Sequence, residues 1–384
     1  MDLVGNWNYP SNYIFGAGRI DQLPQCAKTM GMTNPLVVTD PGIAALDFLT
    51  DIKSSLIAEG LSTHIFSAIK ANPTGKNVAK GISAYNDGNH DGVIAIGGGS
   101  AIDAGKAIAV ACKQNRPLWD FVGDGFELID PSLVPPIIAV PTTAGTGSEV
   151  GRASVITDDE KHVKNIIFHP KMMPGTVVAD PELTVGLPKK LTAATGMDAL
   201  SHNLEAYYAP SYHPMAAGIA VEGIRLVKNW LPKAVADGTN IEARSHMLVA
   251  SSMGATAFQR GLGAIHALAH PLGAIYDSHH GMLNAILMPY VLIANRPAIE
   301  DIITDLTHSL QFKSKGFTAF LDWVLELRTE LEIPHTLAGL GIDDSRANEI
   351  GEMAVADPTA GTNPILHNAQ AYSAILRCAI NGTL

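Results

Sequence analysis

The residues best equipped for chemistry crowd the stretch from Asp198 to His280. Asp198 and His202 stand four apart in a segment with helical spacing of apolar residues, Thr192 to Tyr208, so both side chains lie on one face. His266 and His270 repeat that spacing, and His279-His280-Gly281 follows ahead of another apolar helical run. These histidines sit among apolar neighbours, where a buried imidazole needs a partner and a metal ion serves several at once. One carboxylate with three imidazoles, and no thiolate, suits a divalent first-row ion such as Fe²⁺ or Zn²⁺. Periodicity leaves open which four atoms bind.

A second chemical pattern lies upstream. Gly97-Gly98-Gly99-Ser100 follows the β-branched run Val93 to Ile96 and precedes a helical pattern, Ala101 to Cys112. Glycines there let the backbone approach a ligand closely, and the N–H groups and positive dipole end of the next helix suit a pyrophosphate. The spacing departs from G-x-G-x-x-G, so the usual Rossmann inference does not transfer. Ser100 with Asp103 predicts a capping box at the helix start. The loop Pro141 to Glu149 packs Thr142, Thr143, Thr146 and Ser148 behind another strand pattern, where open α/β sheets bind ligands. Asp40 ends the first strong strand, in place to accept from a ribose diol.

These residues need a scaffold of two kinds. From about Tyr13 to Ala179, short β-branched runs alternate with helix-length segments: Leu36–Thr39, Thr63–Phe66, Val93–Ile96, Ile137–Val140 and Ser154–Thr157. That alternation implies βαβ units and a mainly parallel sheet. Asp120 to Pro136, with three prolines, reads as a surface excursion. After Pro188 the strand signal stops and helical spacing takes over, through Thr192–Tyr208, Met215–Trp230, Ile241–Phe258 and on to Ile380. The expectation is an α/β dinucleotide-binding domain over 1–187 and an all-helical metal-binding domain over 188–384.

Composition narrows the function classes. The 384 residues are 47% hydrophobic and 16% charged, enough apolar material for a large core, which excludes disorder as the dominant state. A net charge of −11 with no basic run argues against nucleic-acid or anionic-membrane partners. The most apolar stretch, Gly92 to Cys112, holds Asp103, Lys106 and five glycines and is not expected to span a bilayer. The first residues do not read as a signal peptide, and three separated cysteines fit a reduced cytoplasmic setting.

Taken together the motifs resemble the iron-containing (group III) alcohol dehydrogenase family, from Tyr13 to the Asn363-Pro364 region. They are Gly97 to Asp103, Pro141 to Glu149, Asp180-Pro181 with Leu187-Pro188, Gly196 to His202, His266 to His270, and His280-Gly281 with Asn284-Ala285. The resemblance implies a dehydroquinate-synthase-like superfold with nicotinamide and alcohol held between two domains. It implies metal ligation by Asp198, His202, His266 and His280, with His270 facing nicotinamide and substrate as the catalytic histidine. His279 matches no ligand position. Gly97, Gly98, Gly99 and Ser100 would hold the pyrophosphate, with Asp40 and Asp103 on the cofactor side. Thr142, Thr143, Thr146 and Ser148 would line the ribose and nicotinamide end, and Lys164 matches a cofactor-contacting lysine. Two departures stand out: Gly151 replaces the usual Thr, and Phe258 to Gly263 is one residue shorter than in common members.

The expected reaction is reversible NAD(H)-dependent oxidation of a small alcohol to its aldehyde or ketone, in a homodimer or larger homo-oligomer. Phe258, Arg260 and Ala153 are the expected substrate-side residues. Arg260, freed from a helix by Gly261 and Gly263, would pair with a carboxylate and so favour a hydroxy acid or semialdehyde. The alternative is an arginine bridging helices. A lyase of the dehydroquinate synthase type would need a Glu-His-His metal set, against Asp198 here.

Overall fold

The computed structural model describes residues 12–161 and 163–384; residues 1–11 of the expected first domain lie outside the described residues. The chain divides into two compact units. One comprises the described residues up to Thr143 together with Gly147–Gly186; the other comprises Ala144–Thr146 and Leu187–Leu384.

The first unit is α/β. Its strands are β1 (Asn12–Phe15), β2 (Pro35–Val38), β3 (His64–Phe66), β4 (Gly92–Gly97), β5 (Ile137–Pro141), β6 (Ala153–Asp158), β7 (Val163–Phe168) and β8 (Thr176–Ala179). Between them lie helices α1 (Leu23–Thr29), α2 (Pro41–Ala44), α3 (Asp47–Ala58), α4 (Gly75–Asp87) and α5 (Gly99–Ala111). Six strands pair in the order β1-β8-β5-β4-β2-β3, all parallel. Every residue of β4 and β5 is buried, as expected for central parallel strands covered on both faces. Alternation sorts their side chains: Leu36, Val38 and Val93 pack with Ile108 on one face, while Val37, Ile94 and Ile96 pack with Leu56 on the other.

One strand expectation needs correction. The run Ser154–Thr157 forms part of β6, but β6 pairs antiparallel with β7 in a separate two-stranded ribbon, outside the parallel sheet. Its exposure alternates, half-buried against buried, which is the pattern of a ribbon with one open face. The excursion over 120–136 is a series of short 3₁₀ turns.

The second unit is helical: α6 (Lys189–Tyr208), α7 (Pro214–Ala236), α8 (Ile241–Ala257), α9 (Ala264–Tyr276), α10 (His280–Ser309), α11 (Phe317–Glu330), α12 (Ala347–Ala356) and α13 (Ala369–Asn381). Helix α6 is buried along nearly its whole length from Thr192 to Ala206, so it is a core helix. Met197, Leu200 and Leu204 on it pack with Leu268, Leu272, Ile286 and Val291 from α9 and α10. Helix α10 is 30 residues long and apolar enough to cross a membrane by length and composition, yet 72% of its most apolar window is buried inside the protein. It is the central pillar of this unit.

Candidate functional site

Helix α6 places Asp198 and His202 on one face, both buried, and α9 delivers His266, also buried. One ligand atom from each lies within 4.8 Å of the other two. Tetrahedral ligands about 2.0–2.2 Å from one ion lie roughly 3.3–3.6 Å from one another, so these atoms stand within about 1.5 Å of that spacing. His280, at the first turn of α10, brings its Nε2 to 3.7 Å from Asp198 Oδ1. The rings of His202 and His266 stack at 4.7 Å, and those of His270 and His280 at 5.4 Å.

Hydrogen bonds fix which ring nitrogens face the cluster. His266 Nδ1 lies 2.5 Å from Glu205 Oε2, and His202 Nδ1 lies 3.3 Å from the Gly145 carbonyl oxygen. Both partners accept, so each ring donates from Nδ1 and keeps a lone pair on Nε2. Burial pushes His202 down to about 4, against the opposing pull of Asp198, so it is neutral near pH 7, as a ligand must be. Burial also disfavours charge on His266, but the neighbouring Glu205 carboxylate outweighs it and raises its pKa.

The chemistry of this donor set fits a divalent cation. Asn284 Nδ2 sits 2.7 Å from Asp198 Oδ1 and 3.2 Å from the Nε2 atoms of both His266 and His280. The Nε2 lone pairs of His202 and His266 and the carboxylate of Asp198 outnumber the two protons of that amide, so lone pairs are in surplus in a buried place. The Asn284 oxygen is buried with no partner among the described residues. A positive ion is the species that satisfies such a surplus. His270, stacked on His280, has its Nδ1 2.7 Å from Asp357 Oδ2. Burial raises the Asp357 pKa, but its contact with His270 and the hydrogen bonds from Thr359 together outweigh that, and the net shift is downward.

In the α/β unit, Gly97 has φ +146, and a Cβ there would meet Ala101 Cβ at 2.8 Å, so this turn demands glycine. Gly98 is the N-cap of α5 and provides no side-chain cap, which leaves the first N–H groups of a 13-residue helix for an anion. The expected capping box does not form: Ser100 donates to the Ala71 carbonyl instead. Asp103 Oδ1 accepts from Ser148, and Oδ2 accepts the Val155 N–H at 2.9 Å. Asp103 and Ser148 thus brace the loop from below. Thr142 is buried and its N–H donates to Gly97 O at 3.0 Å; Thr143 packs over Gly98. Lys164 Nζ donates to Asn72 Oδ1 at 3.1 Å. Asp40 Oδ1 caps α2 through Gly42 N (2.8 Å) and Ile43 N (3.0 Å), while Oδ2 faces Gly97.

Among the substrate-side expectations, Phe258 sits edge-on to His202 with centroids 5.4 Å apart. Ala153 opens β6, and its carbonyl accepts from Lys106. Arg260 is an arginine that bridges helices. Its Nε donates to Ser211 O at 2.8 Å and its NH1 to Tyr207 O at 2.5 Å, so two of its nitrogens fasten the end of α6 and the loop after it. Two residues were not anticipated. Lys106 is fully buried, its ammonium bonded to the carbonyls of Ser148, Gly151 and Ala153 and 3.1 Å from Asp103 Oδ1. Glu205, also fully buried, holds His266; no spacing rule in the sequence pairs it with a residue 61 positions away.

The chain matches the family described as iron-containing alcohol dehydrogenase over residues 10–181 and the Fe-containing alcohol dehydrogenase family, C-terminal, over 192–380. It is 37% identical to 1,3-propanediol dehydrogenase of Klebsiella pneumoniae, over 96% of this chain and 97% of that protein. The crystal structure of a 1,3-propanediol oxidoreductase superposes with a TM-score of 0.93 at 34% identity, covering 98% of this chain and all of the other. Sulfoacetaldehyde reductase from Bifidobacterium kashiwanohense, in complex with NAD⁺, superposes with a TM-score of 0.90 at 27% identity, covering 100% of each chain.

Proposed function

Because the chain belongs to the iron-containing alcohol dehydrogenase family, we propose that it interconverts a small alcohol and its aldehyde or ketone with NAD(H) and one divalent ion per chain. The observation that carries this reading is the convergence of buried Asp198, His202 and His266 with half-buried His280, with more acceptors than protons to satisfy them. Those four residues hold the ion, Fe²⁺ by family, with Zn²⁺ an able competitor. When bound, the ion supplies Lewis acidity toward an alcohol oxygen and the dinucleotide accepts hydride.

The chain's own groups do the rest. His270, its Nδ1–H donated to Asp357, presents Nε2 as an acceptor that takes the released proton and passes it on. The N–H groups of α5 and the glycines 97–99 receive the pyrophosphate. Asp40 Oδ2, the oxygen left after α2 is capped, accepts from the adenosine ribose diol and repels a 2′-phosphate, so NAD(H) is preferred over NADP(H). Thr142, Thr143, Thr146 and Lys164 serve the ribose and nicotinamide end.

The α/β unit, 1–187, is then the dinucleotide-binding domain and 188–384 the metal-binding domain. Family membership sets aside the lyase alternative. An acidic substrate, the second reading, would meet an Arg260 whose Nε and NH1 already donate to main-chain carbonyls. We place the protein in the cytoplasm as a homodimer or larger homo-oligomer, in keeping with its three free cysteines. The test is turnover of NAD⁺ by the purified protein on a panel of alcohols. Alcohol-dependent NADH formation that is lost on chelation and restored by Fe²⁺ or Zn²⁺ supports the proposal, and turnover indifferent to chelation defeats it.

A further inference from the structure

Glu205 touches neither hydride nor alcohol in the scheme above, yet its carboxylate is fully buried and committed at both oxygens. Oε1 accepts the Ile265 main-chain N–H at 2.8 Å, and Oε2 lies 2.5 Å from His266 Nδ1. On α6 it follows Asp198 by seven residues and His202 by three, which at 3.6 residues per turn keeps all three on one face. The helix that carries two members of the cluster therefore reaches across to hold the third, on α9.

The start of α9 is built around this contact. Gly263 gives the helix no side-chain cap. Its first N–H groups go instead to distant acceptors, Ala264 N to Asn363 Oδ1 at 3.0 Å and Ile265 N to Glu205. A Cβ on Gly263 would come within 2.6 Å of Asn363 Oδ1 and 3.0 Å of Glu205 Oε1, so the glycine admits both. Burying a carboxylate is costly unless several donors meet it, and a residue needed only to fill space here could be apolar. The negative charge lies at a helix N-terminus, where the dipole favours it.

We propose that Glu205 is a positioning residue that fixes the tautomer and ring orientation of His266 and thereby sets how tightly the cluster holds a divalent ion. The inference rests on the reading of Asp198, His202, His266 and His280 as a metal site. With Nδ1–H donated to Glu205, His266 must present its Nε2 lone pair toward Asp198 and Asn284. Such outer carboxylates also raise the basicity of the imidazole, and losing one weakens metal binding by about 10–100-fold. Glutamine is close in shape, but its single oxygen can satisfy Ile265 N–H or His266 Nδ1–H and not both, while its NH₂ opposes a donor.

The test compares full-length parent and Glu205→Gln after chelation, titrating Zn²⁺ against a chromophoric chelator and melting the metal-free proteins. The parent is expected to bind one Zn²⁺ per chain and the variant to bind it about 10–100-fold more weakly. A purely structural glutamate would lower the metal-free melting temperature and leave Zn²⁺ affinity within threefold of the parent; that result overturns the inference. Failure of the parent itself to bind Zn²⁺ would instead overturn the metal-site reading on which it rests. If Glu205→Gln does not fold, nitrogen NMR of the metal-free parent decides: an Nδ1-protonated His266 supports the role, and an Nε2-protonated one refutes it.

Discussion

Helix α10 starts at His280 and meets α6 at Gly281, so a methyl group at that point tests whether close helix approach positions the cluster. A Cβ on Gly281 would stand 2.4 Å from the Ala194 carbonyl oxygen, 2.9 Å from its carbon and 3.1 Å from Asp198 Cβ. The nearest atoms are backbone of a buried helix and cannot swing aside. Ordinary contact begins at 3.4 Å, so Gly281→Ala must push the first turn of α10 away from α6 by about 1 Å. Overpacking of this kind costs about 1–3 kcal/mol. For a helical unit of this size that lowers Tm by roughly 2–12 °C. His280 travels with the displaced turn, and a shift of about 1 Å at a reacting centre can cost about 100-fold. The assay is a thermal melt with and without Zn²⁺, paired with Zn²⁺ titration against a chromophoric chelator. Gly218→Ala is the control, since that exposed glycine in α7 has nothing within 4 Å of a Cβ and should gain about 0.4–1 kcal/mol. If Gly281→Ala melts and binds Zn²⁺ like the parent, close approach at this glycine does not position the site.

Asp40→Ser keeps a hydroxyl to cap α2 and removes the charge, so the preference for NAD⁺ over NADP⁺ should narrow by at least about tenfold in kcat/KM; an unchanged ratio removes Asp40 from cofactor choice. Lys106→Met leaves Asp103 and three loop carbonyls without their ammonium and should cost about 3–5 kcal/mol in urea unfolding. A loss under about 1 kcal/mol would show that the ammonium does not hold the loop. Asp91 accepts from Thr33 N, Thr33 Oγ1 and Asn34 N; burial pushes its pKa up, but these hydrogen bonds more than offset that and the net shift is down from 3.8. A depressed folded pKa adds stability above the unfolded pKa that is lost as pH falls through the folded value. Asp91→Asn should therefore cost about 1–2 kcal/mol between pH 5 and 7 and progressively less below about pH 4, and a pH-independent penalty would contradict the linkage.

The helical face that holds Asp198 and His202 was legible because four-residue spacing is a local property of a chain with 3.6 residues per turn. The strands at Leu36, Val93 and Ile137 were legible for a similar reason, as β-branched runs between turn residues. Long-range partners were not. Ser100 fits a capping box by spacing, but its hydroxyl finds the Ala71 carbonyl, and Asp103 turns to Ser148 and Val155. Arg260 looked free because two glycines follow it, whereas Tyr207 and Ser211, about fifty positions earlier, offer their carbonyls. Strands β1 and β8 were not read, and they pair across 164 positions, a relation no local pattern carries. Glu205 reads as one more charge on α6 until α9 folds over it.

One divalent ion is expected where α6, α9 and α10 converge. Anomalous diffraction from crystals of the Zn²⁺-loaded protein, recorded on both sides of the zinc edge, tests it most directly. A single strong peak is expected about 2.0–2.2 Å from Asp198, His202, His266 and His280, absent in His266→Ala. A peak held by other residues, or no peak at this point in an active crystal, would contradict it.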